Sequence, residues 1–571
     1  MALLSAKMTT QMTVQFNEDK QEKRLEELKK REEEELASTL SAKYGISYLD
    51  LSVVPINIDA LRVIKEADAR EASMAVFNII DKRIDIAVLA PENEKTVEVI
   101  EDLKKRNYIP TVYMVSHASL NKVWDRYKDL SYSFETKSGA LDISNEEIVE
   151  LLGKITSLEE IRHEIEEILG MKKSYRISRI LEIILAGGLA RKASDIHLEP
   201  EEDYVRLRYR LDGVLTDILT FDLETYKLLL SRIKLISELK LNLTGAQDGR
   251  FSIKLPDGDV EVRTSILPGS YSESVVLRVL NPNATSVALE ERGIHPKLFA
   301  LFLREIKKPN GMILVTGPTG SGKTTTLYSF LKKIHSPEVK IITIENPIEY
   351  HLPGIVQTQT DPDKEYTFAS GLRSALRQDP DVILVGEIRD EETAEVAVNA
   401  ALTGHLVLST LHTNNAAGTF PRLIDLGVNP KVITSAVNIS IAQRLIRTLC
   451  PHCKQEKVPD ETERKLIDDT LANVLDPEYL NGIQKEKIWE APGCKECDST
   501  GFMGRTGIFE AIFSDEEVEK IILANPSERE IRKAATPQKN LTLKQDGVIK
   551  VLQGLTSIAE LGRVVDLDKE E

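Results

Sequence analysis

The chain has 571 residues, too many for one hydrophobic core, and at ~150 residues per domain it should fold as three or four domains. Its formal charge of -17, from 74 basic against 91 acidic residues, argues against a surface given over mainly to nucleic acid. No apolar run approaches the ~20 residues of a membrane span, the N-terminal stretch MALLSAKMTTQMTVQFNEDK has no signal-peptide pattern, and the 4 cysteines all fall between Cys450 and Cys497, so a soluble cytoplasmic protein with one local thiol site is expected and a disulfide framework is not.

Residues 18–37, EDKQEKRLEELKKREEEELA, carry Leu25, Leu28 and Leu36, with Leu40 following, and a Glu26–Lys30 pair one helical turn apart. This predicts a solvated or loosely packed helix, without the three apolar heptads of a coiled coil. From Ser41 to about Asp129, short apolar strands (Ile84–Leu89, Thr111–Val115) alternate with helical patterns (Asp59–Ala67, Glu94–Lys104), the texture of a small α/β domain. It holds no cluster of catalytic residue types, and His117 reads as structural. Residues 130–172 read as a linker with an acidic connecting helix from Glu146 to Leu169.

A helix over Ser174–Leu189 leads into ASDIHLEPEEDYVRLRYRLDGVL, where Val205, Leu207, Tyr209 and Leu211 alternate with Arg206, Arg208, Arg210 and Asp212. That period of two puts the arginines on one face of a strand. Asp212-Gly213 marks a turn and Val214–Thr220 the return strand. With Arg250, Arg263 and Arg278 further on, this domain holds more cations than a self-contained sheet needs. Two readings stand: a solvated face paired with its own acids, such as Asp195 and Glu199, or a surface offered to an anion such as a nucleotide on a neighbouring subunit. The motifs that follow favour the second.

In MILVTGPTGSGKTTTL, Met312 to Leu327, Gly317 is followed after four residues by Gly322, Lys323 and Thr324, the phosphate-loop pattern G-x-x-x-x-G-K-[ST]. The apolar run Ile313–Thr316 predicts a buried strand and Thr325 onward a helix, so that loop amides and a helix N-terminus converge on phosphate oxygens. The nucleotide-binding set is Gly317, Pro318, Thr319, Gly320, Ser321, Gly322, Lys323, Thr324 and Thr325. Lys323 is expected to reach the β- and γ-phosphates and Thr324 to offer its hydroxyl to Mg²⁺.

Two further apolar runs end in carboxylates. Ile341–Ile344 leads into Glu345-Asn346-Pro347-Ile348-Glu349-Tyr350, and Val382–Val385 into Gly386-Glu387. These are carboxyl ends of strands, where open α/β sheets bind ligands. Glu387 makes a Walker-B arrangement with Glu in place of the commoner Asp; it either holds Mg²⁺ through a water or orients and deprotonates the attacking water. In ALTGHLVLSTLHT, Ala401 to Thr413, His405 and His412 flank the run LVLST and are expected at opposite ends of one strand, His412 nearer the phosphates. Arg422, Gln443, Arg444 and Arg447 are groups of a kind that lines subunit interfaces.

Cys450-Pro-His-Cys453 and Cys494-Lys-Glu-Cys497 are two C-x-x-C pairs about 40 residues apart. Four thiolates fill the shell of a structural Zn²⁺ and leave no open position for catalysis. Residues 454–493 should be an inserted helical excursion, and His452, between two ligands, should be exposed.

GPTGSGKTTT, IENPIEY, DPDVILVGEIRDEETA and ALTGHLVLSTLHTNNA, in this order, resemble the secretion-ATPase superfamily, specifically the type II secretion and type IV pilus assembly ATPases, over about Ser174 to Arg563. The resemblance implies an α/β fold: a RecA-like P-loop NTPase motor domain joined to a PAS-like second N-terminal domain, preceded by a small α/β first N-terminal domain. The implied map is a charged tail at 1–40, the first N-terminal domain at 41–130, a linker at 131–172, the arginine-bearing domain at 173–283, and the ATPase domain at 284–571 with a zinc subdomain at 448–511 and C-terminal helices.

It further implies a homo-hexameric, Mg²⁺-dependent ATP hydrolase, with ATP, Mg²⁺ and Zn²⁺ bound. Glu349 would be the acidic-box carboxylate nearest catalysis, Glu387 the Walker-B acid and a Mg²⁺ ligand beside Thr324, and His412 part of the box that senses the nucleotide. Arg208 and Arg210 would be the residues brought towards ATP. Asn346 stands where many members have Asp, which withdraws an acid's role from that position. The tetracysteine module is common to assembly ATPases of both systems and lacking in pilus retraction ATPases.

The implied partners are an inner-membrane platform protein and a cytoplasmic docking protein at the inner face of the cytoplasmic membrane, with no direct nucleic acid. Pilus assembly is the leading function and type II secretion its alternative. A RecA-like nucleic-acid motor comes third, disfavoured by the acidic balance and the lack of an aromatic-basic stripe. A GTP switch lacks its N-K-x-D reader, since Asn121-Lys122-Val123-Trp124 has Trp at the Asp position. Residues 1–45 lack the Leu- and Gly-rich repeats through which some pilus members bind cyclic di-GMP, so that ligand is not expected.

Overall fold

A computed structural model describes residues 33–129, 145–169, 176–280 and 288–568, apart from positions 52, 53, 55, 62, 81, 107, 244, 257 and 525. The chain divides into two units, residues 1–134 with 173–175, and residues 135–172 with 176–571.

In the first unit a helix over 33–44 (α1) precedes β1 (Ser47–Tyr48). The described end of the charged run is held through its acids. Glu34 accepts from the Ser116 and Ser119 hydroxyls at 2.6 and 3.1 Å, and Glu33 from the Ala118 amide at 3.2 Å. These donors lie at the start of the helix His117–Asp125 (α5), where the helix dipole favours negative charge. Residues 18–32 of the run lie outside the described residues.

The helix expected over 59–67 is two short ones, α2 (Ile58–Leu61) and α3 (Glu66–Glu71), because Lys65 takes an extended conformation between them. The strands β2 (Met74–Ile80), β3 (Arg83–Val88) and β4 (Ile109–Met114), with α4 (Glu94–Lys105), complete a sheet ordered β1-β4-β3-β2. Its core includes Phe77, Ile86, Leu103 and Trp124.

The second unit opens with α6 (Asn145–Lys154) and α7 (Leu158–Leu169), two helices where one acidic connecting helix is expected over Glu146–Leu169. Although α7 is acidic, Ile161, Ile165 and Ile168 share one face and are buried against α8 (Arg176–Ala190) in a single core with the sheet behind it. That sheet comprises β5 (Asp195–Pro200), β6 (Val205–Leu211), β7 (Val214–Phe221), β8 (Gln247–Leu255), β9 (Gly258–Pro268) and β10 (Glu273–Leu280), with α9 (Leu223–Ile236) between β7 and β8.

The order is β7-β6-β5-β10-β9-β8, antiparallel throughout. Val205, Leu207 and Tyr209 enter the core while the arginines of β6 take the other face. Across that other face one row reads Arg210, Asp195, Arg278, Arg263, Arg250.

The C-terminal part of the second unit is built on seven strands. They are β11 (Gly311–Thr316), β12 (Ile341–Glu345), β13 (Val356–Gln359), β14 (Val382–Val385), β15 (Leu406–Leu411), β16 (Val437–Leu449) and β19 (Phe502–Phe513). Their order is β13-β12-β14-β15-β11-β16-β19, parallel except for β19. Every residue of β11, β14 and β15 is buried, as fits parallel strands covered on both faces.

Met312 and Leu314 point into one layer with α12 (Phe368–Leu376), α13 (Glu391–Leu402), α14 (Thr419–Asp425) and α15 (Pro430–Ala436). Ile313 and Val315 point into the other, with α10 (Pro296–Glu305) and α11 (Lys323–Ile334). The segment between β16 and β19 holds β17 (Gln455–Lys457), α16 (Glu461–Ala472) and β18 (Ile488–Glu490), so the expected helical excursion is closed by a two-stranded ribbon. Four helices, α17 (Glu516–Ile522), α18 (Glu528–Ala535), α19 (Leu543–Leu552) and α20 (Ile558–Gly562), end the fold.

Candidate nucleotide and metal sites

β11 delivers the chain to Gly317 at its carboxyl end, and α11 begins at Lys323. Gly320 and Gly322 hold φ at 79° and 87°, in the left-handed region. A Cβ on Gly322 would stand 2.8 Å from Gln443 Nε2, whereas at Gly320 it would meet open space, so only backbone conformation demands glycine there. The first amides of α11 have no acceptor within the helix and point out of its positive end. Ser321 Oγ is buried beside them with no partner. Lys323 curls back over the loop, its Nζ donating to the carbonyls of Gly317 at 2.7 Å and Pro318 at 3.1 Å. Burial lowers its pKa to about 8, against the pull of Glu387. Free amides, a buried orphan hydroxyl and an ammonium held on makeshift carbonyl partners suit a polyphosphate.

Under the loop, Thr326 Oγ1 donates to Gln443 Oε1 at 2.8 Å and Arg444 Nη1 to the Gln443 carbonyl at 2.9 Å. Arg444 is buried, which lowers its pKa, and it also holds the Asn414 carbonyl. Arg447 binds Glu560 of α20, with Nε 2.9 Å from Oε2. Gln443, Arg444 and Arg447 therefore brace the inside of the domain rather than lining its outer surface.

The three acids differ in setting. Glu345, at the end of β12, is 3 % exposed and accepts from Thr343 Oγ1 at 2.6 Å, Gln357 Nε2 at 3.1 Å and the Tyr328 hydroxyl. With its acceptor sites taken by neutral donors it organises the strand end. Glu349 is half-buried; burial raises its pKa, with Arg263 and Arg278 opposing the rise. Glu387, two residues beyond β14, lies 2.6 Å from Arg389 Nη2 and 3.4 Å from His412 Nε2. His412 is placed by the end of β15, where the Thr413 amide donates to Thr316 Oγ1 of β11 at 2.8 Å. His405 stands at the opposite end of β15, its Nδ1 3.0 Å from the Ala400 carbonyl at the end of α13.

Arg208 and Arg210, expected to face ATP, are bound by acids of their own sheet: Arg208 to Glu199, and Arg210 Nε to Asp195 Oδ2 at 3.3 Å. Instead Arg263 reaches the acidic box, its Nη2 donating to the Ile348 carbonyl at 2.7 Å. Arg278 stands beside it in the row, 3.0 Å from Asp195 Oδ1, and its charge is felt at Glu349. The signal for this pair was strand register, which periodicity along one strand does not contain.

The four cysteine sulfurs lie within 4.8 Å of one another. Individual Sγ–Sγ separations are 3.9 Å for Cys450–Cys494, 3.9 Å for Cys453–Cys497 and 3.7 Å for Cys494–Cys497. A tetrahedron with Zn–S of ~2.3 Å needs edges of ~3.8 Å, so the donor set fits Zn²⁺. Burial works against ionising Cys497, yet the amides of Cys494 and Gly501, 3.2 and 3.3 Å from Sγ, bring its pKa down to about 7. His452 is exposed.

The pattern defining the type II/IV secretion system proteins matches residues 171–563. The chain belongs to that family. It is 43 % identical over 403 residues to the type II secretion system ATPase E of Vibrio cholerae, covering 70 % of this chain and 77 % of that one. It is 34 % identical over 540 residues to the type IV pilus assembly ATPase PilB of Myxococcus xanthus, covering 93 % and 91 %. Among solved structures, the ATPase DotB of Legionella pneumophila matches 67 % of this chain and 94 % of its own at 23 % identity, with a TM-score of 0.48. This family member is thus a secretion or pilus assembly ATPase with a P-loop α/β motor domain and a four-cysteine cluster that fits zinc. Among the described residues no helix is long and apolar enough to cross a membrane.

Proposed function

We propose that the chain is the motor of type IV pilus assembly, working as a hexamer that hydrolyses Mg·ATP. The phosphates are bound by the amides from Gly317 to Thr325 and by Lys323, whose ammonium exchanges the Gly317 and Pro318 carbonyls for phosphate oxygens. The Thr324 hydroxyl and the Glu387 carboxylate would hold Mg²⁺, which supplies charge neutralisation at the phosphates. Glu349 takes the proton of the attacking water, since burial holds its pKa nearer to working pH than an exposed glutamate's. Arg263 and Arg278 bring positive charge towards the acid-lined site, and His412 reports on Glu387 across 3.4 Å. The observation that carries this chemistry is that Arg263, from a different sheet, donates to the Ile348 carbonyl next to Glu349, with the charges of Arg263 and Arg278 felt at that carboxylate.

Pilus assembly is favoured because the match to the Myxococcus xanthus protein runs through 93 % of the chain, the N-terminal unit included. The more identical Vibrio cholerae protein matches 70 %, which keeps the type II secretion motor as the second reading. Docking is indirect, through a cytoplasmic docking protein and an inner-membrane platform protein, with the ATPase at the inner face of that membrane. Deleting the gene and scoring surface pili beside exported protein tests the assignment. Loss of pili with secretion intact supports it; intact pili with lost secretion transfers the chain to the other system.

A further inference from the structure

The tetracysteine knuckle ends in two consecutive left-handed residues, Asp498 at φ 48° and Ser499 at φ 60°. They reverse the chain so that Ser499 N reaches the Cys494 carbonyl at 2.8 Å and Gly501 N the Cys497 sulfur at 3.3 Å. Gly501 in turn accepts from the Cys450 amide at 2.9 Å. The sulfur cluster and this turn therefore fix where the Asp498 carboxylate points, and it points out of the ATPase domain. Oδ1 accepts from the Leu158 amide at the start of α7 at 3.0 Å, and Oδ2 from Arg191 Nη2 just past α8 at 2.6 Å.

Arg191 also holds the Thr156 carbonyl at 2.8 Å, so one guanidinium ties the α6–α7 turn, α8 and the knuckle together. The Asp498 side chain is only 8 % exposed. A carboxylate so buried is tolerated because a guanidinium and a helix-start amide satisfy it. The contact is answered from the other side: Asp212, at the β6–β7 turn, accepts from the Gly504 amide at 2.8 Å, with Arg505 Nε 3.9 Å away. Both clasps lie within residues 498–505, directly after the last metal ligand.

We infer that the tetracysteine knuckle anchors the joint between the arginine-bearing sheet and the ATPase domain, with Asp498 the positioning residue that carries the anchor across. The metal centre then does more than stabilise its own subdomain: it fixes the base on which the row containing Arg263 and Arg278 stands. For its effect on turnover this rests on the role proposed for those two arginines. For its effect on structure it does not.

Hydrogen exchange on the full-length, zinc-loaded chain reads the joint directly, at the amides of residues 156–162. Asp498→Asn, Arg191→Ala and wild type stripped by a chelator should each exchange there about tenfold faster or more, the scale of a lost charge-assisted hydrogen bond. Arg191→Ala should keep its full zinc content, and in both variants kcat should fall with KM for ATP little changed. Unchanged exchange at 156–162 after stripping, or in Arg191→Ala, overturns the inference. If Asp498→Asn does not fold, Arg191→Ala and the stripped wild type decide alone. Wild type without ATP turnover but with the expected exchange pattern would refute the catalytic reading and leave the joint standing.

Discussion

Lys323 offers a test in which the perturbation is pH alone. In the free protein Lys323 is half-buried, and desolvation brings its pKa to about 8 while Glu387 pulls the other way. Triphosphate favours the charged form, so binding raises that pKa, and above pH 8 ATP binding must take up a proton. The sign follows: affinity is full below about 8 and falls as pH rises beyond it. With a pKa of about 8, roughly nine-tenths of the free protein is charged at pH ~7 and about one-tenth at pH ~9, so the apparent Kd should weaken about tenfold between them. The last phosphate proton has a pKa near ~6 and does not interfere. Calorimetry in two buffers of different ionisation enthalpy, near pH 7 and pH 9 with Mg²⁺ present, measures both affinity and proton uptake. In Lys323→Arg the pH slope should vanish, because a guanidinium stays charged throughout. A flat affinity in wild type, or the same slope in Lys323→Arg, would refute the argument.

Other substitutions separate the remaining roles. Glu387→Gln should abolish turnover while ATP binding stays near normal; retained hydrolysis would show the acid misassigned. Glu349→Gln should lower kcat by ~10²–10⁴. The raised pKa of Glu349 also means that wild-type kcat/KM declines on acidification at a higher pH than an exposed glutamate would give, a limb that stopped-time assays across pH should find missing from the residual activity of the variant. Arg263→Ala should reduce turnover by up to ~10³ and Arg208→Ala far less, because Arg208 is bound to Glu199; equal losses would return the role to β6. Cys494→Ser should release metal and lower the thermal stability of the C-terminal subdomain, and metal-free wild type of normal stability would end the zinc assignment.

What could be read from the chain alone was whatever a short stretch settles by itself. A phosphate loop is a local backbone shape, so Gly317, Gly322, Lys323 and Thr324 sit at fixed spacing between β11 and α11. The cysteine pairs are likewise local, and their sulfurs meet as the spacing predicts. The arginines are a different kind of problem, because Arg210, Arg278, Arg263 and Arg250 come from four strands and share a row only through the order β6-β5-β10-β9-β8. Nothing within VRLRYRL ranks its arginines above those of β9 and β10.

What selects Arg263 and Arg278 is the apolar set on the opposite face. Val262, Ile266, Val275 and Leu277 are all buried in the core, and a one-residue slip of either strand would send an arginine inward in their place. The hydrophobic pattern of β9 and β10 thus keeps both cations on the opposite face, and their charge is felt at Glu349. The same logic covers α7, whose isoleucines decide that an acidic helix docks, and Asp498, whose partner amide lies 340 positions earlier in the chain. A residue's chemistry is legible in its own segment; its target is legible only once the cores have fixed which segments meet.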